Sequence, residues 1–129
     1  MTLSENVKRY YDLGNNCAVS TLLGAGDHYG LGLTKIDASL LAGFGGGMGC
    51  GKVCGCLAGS IAILGRMFST RPDFRTLCGQ FVREFEKAMD CGSVNCVDIA
   101  PRYKTKETKC WASVKITADL LEDFISRIR

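Results

Sequence analysis

Apolar residues recur at steps of three and four along most of the chain, a spacing that predicts helices. Leu3, Val7, Tyr10 and Tyr11 mark the first, entered through a Thr2–Glu5 capping-box pair and ended by Gly14. Asn16 is placed to cap a second helix, with Cys17 as its first residue and Ala18, Leu22 and Leu23 facing inward. Gly24 to Gly32 reads as a turn region that holds His28 in an exposed loop. A Thr34–Asp37 capping pattern precedes Ala38, Leu40 and Leu41, and Gly43 to Gly51 reads as a loop. A helix rich in small residues is expected from about Lys52 to Phe68. The next is capped by Thr70 and entered through Pro72, with Phe74, Leu77, Cys78, Phe81 and Phe85 on one stripe, which puts Cys78 in the core. Asn95 can cap a short helix from Cys96, and the chain is expected to turn at Pro101. The last helix is expected from about Lys106, with Trp111, Val114, Ala118, Leu121, Ile125 and Ile128 as its apolar stripe. No strand-like alternation is present. The pattern predicts one all-α domain over residues 1–129, a compact bundle of five to six helices.

Composition supports a packed core: 47% of the 129 residues are hydrophobic and 22% are charged. Intrinsic disorder is excluded on that balance. The net charge of +3 is mild and its basic residues form no tract, so no nucleic-acid partner is expected. No stretch approaches the ~18 apolar residues of a membrane span. The polar start at Met1 lacks an apolar signal core, which points to a cytoplasmic protein with reduced thiols rather than disulfide staples.

What changes this ordinary picture is 8 Cys and 16 Gly. Residues 43–59 read GFGGGMGCGKVCGCLAG. Gly45, Gly46, Gly47 and Gly49 can form a backbone nest whose N–H groups converge on an anion or a cluster. Gly55 and Gly59 suit close helix packing instead. A Walker phosphate loop would need Ser or Thr after Lys52, where Val53 stands. Inside a regular helix Cys54 and Cys56 would lie about 200° apart at about 100° per residue, so they could not share one metal. Either the helix starts later than Lys52 or one of the two is a spectator.

Cys17 and Cys96 follow asparagines that can cap helices, Cys54 lies near a helix start, and Cys110 opens the last helix near Lys106 and Lys109. Such positions lower a thiol's pKa. If those four ends converge, they make a four-thiolate metal site or a reactive dithiol. Cys91 lies in a polar turn. His28 is the only partner for a Cys–His nucleophile pair, and C-x-x-C, C-x-x-C-H and zinc-ribbon spacings are absent.

Asn16-Cys17-Ala18, the Gly43–Gly49 run, Cys54-Gly55 with Gly59, Gly92-Ser93 with Cys96, and Cys110 together resemble the C_GCAxxG_C_C family of redox-active proteins, over roughly residues 6–125. The resemblance puts the family's cysteines on Cys17, Cys54, Cys96 and Cys110. Cys56 stands where the family has alanine, so Cys50, Cys56, Cys78 and Cys91 are extra, and Cys56 is the least expected ligand. The resemblance also implies similarity to the iron–sulfur portion of split-Soret-type cytochromes, whose haem motifs are absent here. It leads to an iron–sulfur cluster on Cys17, Cys54, Cys96 and Cys110, with Cys50 and Cys91 accessory. N–H groups of Gly45, Gly46, Gly47 and Gly49 would donate to sulfur, and the role would be electron transfer or redox sensing. The partner would be a redox protein or a small-molecule reductant. Two alternatives stand beside it. One is a metal-free thiol–disulfide oxidoreductase in which Cys54 or Cys17 attacks. The other is a zinc-binding interaction module, whose last helix could pair two copies into a homodimer.

Overall fold

The computed structural model describes residues 1–129 as seven α-helices without strands. They are α1 (Leu3–Asp12), α2 (Cys17–His28), α3 (Lys35–Ser39), α4 (Gly55–Phe68), α5 (Phe74–Met89), α6 (Cys96–Tyr103) and α7 (Trp111–Ile128). The all-α expectation holds, and the helix count exceeds five to six. Even the five-residue α3 forms, because its Thr34–Asp37 capping box is complete. The Thr2–Glu5 box is complete as well, and Asn16 Oδ1 accepts the Val19 N–H at 2.9 Å.

α2 packs between α1 and α4, and α7 lies against α1, α4 and α5. The core between them is aromatic and aliphatic: Phe81 and Phe124 meet edge to face at 5.2 Å, with Phe85, Leu121, Ile125, Ile63 and Val7 fully buried around them.

The first half of the turn expected at Gly24 to Gly32 is instead the last five residues of α2, which runs on to His28. The glycine serves packing rather than turning. A Cβ on Gly24 would lie 2.5 Å from the Val7 Cα, so only glycine lets α1 and α2 touch there. His28 is consequently half-buried rather than in an exposed loop. Its Nδ1 meets Asn6 Nδ2 at 3.0 Å and its Nε2 meets Glu122 at 3.2 Å.

Other boundaries shift for local reasons. α5 starts after Asp73, and Thr70 does not cap it. Asn95 occupies the N-cap position of α6 without a side-chain bond. Pro101 lies inside α6 rather than at a turn. Sited late in the helix, it removes one N–H while the last turn closes through Lys104 N–H to the Ala100 carbonyl at 2.8 Å. α7 starts at Trp111, not Lys106, because Thr105 and Lys109 exchange two backbone hydrogen bonds in a tight turn. Cys78 is only partly buried, not core. At about 100° per residue it falls at the edge of the arc spanned by the buried Leu77, Phe81 and Phe85.

Candidate functional site

Four helices begin at one end of the bundle. Two backbone bonds tie two of those starts together: Cys54 N–H donates to the Val94 carbonyl at 2.9 Å, and Cys96 N–H to the Lys52 carbonyl at 2.7 Å. This isolated antiparallel bridge, Val53 opposite Asn95, sets the entry to α4 beside the entry to α6. The N–H of Cys110, the residue before α7, donates to the Tyr11 hydroxyl at 2.9 Å and so anchors that start to α1. Cys17 comes from the start of α2, which Gly55 lets approach. A Cβ on Gly55 would lie 2.6 Å from the Cys17 sulfur and 2.9 Å from the Phe44 carbonyl.

The result is a cavity of about 80 Å³ lined by Cys17, Cys54, Cys56, Cys96 and Cys110, with Ile99, Ala100, Gly46 and Lys104 among its other walls. The four cysteines singled out in the sequence thus face one space, and Cys56 joins them. Cys50 is exposed on the glycine loop, and neither it nor Cys91 lines the cavity. No three Cys, His, Asp or Glu side chains come together tightly enough to hold a single metal ion.

Cys56 reaches the cavity because α4 starts later than Lys52. Cys54 is its N-cap, with extended backbone (φ −57, ψ 132), so Cys54 and Cys56 do not follow helical spacing. Cys56 is fully buried, and its thiol interacts with both Cys17 and Cys54. It keeps its proton: contact with Cys17 and Cys54, then burial, pushes its pKa well above the ordinary thiol value. Cys17 moves the other way, to about 6, through the Cys56 thiol first and then the N–H groups of Gly46, Ala18 and Cys17 itself, against the opposing effect of burial. Cys54 is also lowered, by Cys56 and by the N–H groups of Cys56 and Leu57.

Cys96 and Cys110 do not share this shift. Burial pushes both up, and neighbouring cysteines add to it. The lowering expected from a helix start fails at these two sites because no N–H donor or thiol offsets desolvation there. The only favourable charge is Lys104, not Lys106 or Lys109.

The glycine run is a left-handed turn. Gly46, Gly47, Met48 and Gly49 have φ of 64, 66, 61 and 72°, and Lys52 N–H closes it on the Gly47 carbonyl at 2.8 Å. Such a run is accessible because three of the four residues lack a Cβ. Within it, Gly46 lines the cavity and polarises Cys17. Gly47 gives close approach: a Cβ there would meet Cys96 Cβ at 2.7 Å. Gly45 abuts the Asn16 side chain and a Cβ on Gly49 would meet nothing within 4 Å; of the four glycines only Gly46 lines the cavity.

Sequence reasoning missed Lys104. The signal was present in the spacing along α6, where Cys96 and Ala100, and Lys104 just past its end, recur every four residues.

No curated protein and no solved structure matches the chain. The family described as "Putative redox-active protein (C_GCAxxG_C_C)" matches residues 15–124, a span that includes every cysteine of the cavity. The chain belongs to the C_GCAxxG_C_C family of redox-active proteins.

Proposed function

We propose that the protein is a redox carrier or sensor that holds an iron–sulfur cluster through Cys17, Cys54, Cys96 and Cys110. The observation that carries this reading is the placement of four thiols from four separate helix starts around one small cavity. Soft thiolate donors suit iron–sulfur chemistry. Two of the four, Cys17 and Cys54, have thiol pKa values pulled below the ordinary value, so losing the proton to become ligands costs them less. Gly46 and the start of α4 supply N–H groups near sulfur, and Ile99 and Ala100 give apolar walls. Lys104 offsets negative charge at the site. When bound, the cluster supplies reversible electron transfer, and the chain's residues bind it, shield it and bias its charge state.

A second reading has its own observation. A thiolate at Cys17, beside a protonated Cys56 and near Cys54, is the arrangement of an attacking and a resolving thiol. Purification without oxygen, followed by a visible spectrum with iron, sulfide and zinc assays, separates the two. Iron and sulfide lost on Cys17→Ser, Cys54→Ser, Cys96→Ser or Cys110→Ser, and kept on Cys50→Ser, support the cluster. Metal-free, colourless protein with a fast-alkylating Cys17 supports the dithiol.

A further inference from the structure

Outside the thiol cavity, and continuous with it, lies a cleft of about 300 Å³. The two share Cys17, Gly46, Lys104 and Cys110. The cleft's other polar groups come from the α1–α2 connection, from Tyr11, and from Lys109. Neither Lys104 nor Lys109 forms an ion pair or a side-chain hydrogen bond, and no carboxylate lines the cleft. Asp12 and Glu107 line an adjoining depression that Tyr11 and Lys109 also border, and Asp12 pairs there with Lys8 at 3.1 Å. The Tyr11 hydroxyl accepts from Cys110 N–H, which leaves its own proton free to donate.

We propose that this cleft binds a small organic anion and delivers it to the thiol side of the site. Two unpaired ammonium groups and a free phenolic donor, with no carboxylate on the cleft's own wall, match a carboxylate-bearing molecule. The volume lies at the lower end of small-molecule sites. The backbone turn fixes where the Lys109 side chain leaves the chain. Lys109 has φ 54° within the Thr105–Lys109 turn, a conformation glycine adopts more readily than lysine. A charged residue thus stands where local geometry alone would favour glycine. As an account of the redox partner, this rests on the proposed function, since it makes that partner a small anion. The binding itself needs no cluster.

The test uses the full-length chain, reduced and stripped of metal by a chelator. Alkylation by iodoacetate and by neutral iodoacetamide is followed at each cysteine by peptide mass spectrometry. The exposed Cys50 is the reference. The expected iodoacetate-to-iodoacetamide rate ratio at Cys17 and Cys110 is about tenfold above that at Cys50. It should fall to the Cys50 value in the Lys104→Gln, Lys109→Gly double variant. Both lysines are exposed and the glycine suits its φ, so the variant should fold, with circular dichroism as the check. Succinate should slow Cys17 and Cys110 more than sodium chloride of equal ionic strength. Equal ratios at all three cysteines would overturn the proposal. So would succinate acting no better than chloride, which would leave general charge steering only. Metal content is measured separately, so loss of the cluster reading would leave this result interpretable.

Discussion

The α2–α4 side of the thiol cavity and its α6–α7 side use the same residue in the same place, a cysteine at a helix start, and obtain opposite chemistry. Cys17 and Cys54 are driven toward thiolate, while Cys96 and Cys110 are driven away from it. All four are partly or fully buried, so desolvation raises all four. What differs is the company. The α2–α4 side has Cys56 and several N–H groups aimed at sulfur, and the other side has one lysine. A helix dipole alone does not overcome burial here. Specific donors do.

The largest effect is in pH–rate profiles of the metal-free chain. Alkylation of Cys17 should rise through pH about 6 and level off, while that of Cys96 should still climb beyond the ordinary thiol value of 9.0. Cys56→Ala should move the Cys17 profile up toward 9.0, because Cys56 is the leading cause of its shift, and should move Cys96 far less, since burial leads there. Coincident profiles for Cys17 and Cys96 would erase the comparison.

The next effect is steric. Gly55→Ala puts a Cβ 2.6 Å from the Cys17 sulfur and 2.9 Å from a backbone oxygen, so the α2–α4 contact must open. The expected cost is about 2 kcal/mol in chemical denaturation. Gly65→Ala, ten residues along the same helix, meets its nearest atom at 3.8 Å and should be neutral or stabilising by about 0.5 kcal/mol. Equal costs would show that Gly55 acts through helix propensity and not through the site.

The smallest effect is on stability. The folded pKa of Cys17 lies below its unfolded value of 9.0, so its contribution is full above pH 9.0 and is lost as pH falls through about 6. Between pH 7 and pH 5 the metal-free parent should lose about 1 kcal/mol that Cys17→Ser does not lose. Cys96→Ser should lose as much as the parent over that range. A parent no more pH-sensitive than Cys17→Ser would contradict the assignment.

The sequence made some of this visible and hid the rest for identifiable reasons. Capping is local, so Thr2 with Glu5, Thr34 with Asp37, and Asn16 were all readable. Cys17, Cys54, Cys96 and Cys110 stood out by their places near helix starts and by the family resemblance, and all four line one cavity. Gly24 was misread as a turn because its role depends on Val7, a residue seventeen positions away in sequence that only the fold brings near. Cys56 was hidden because its position depends on where α4 begins. A bridge to residues 94–96 precedes that start, and the local apolar pattern carries no mark of it. The opposite pKa directions were hidden too, since donors to sulfur come from segments far apart in the chain.

The proposed cluster draws its ligands from both sides of the cavity. Its most direct test is iron and acid-labile sulfide per chain, measured after oxygen-free purification of the parent, Cys56→Ala and Cys96→Ser proteins. The expected result is equal stoichiometry in the parent and Cys56→Ala, and loss of both elements in Cys96→Ser. Full iron and sulfide in Cys96→Ser would contradict it, as would a parent that holds neither.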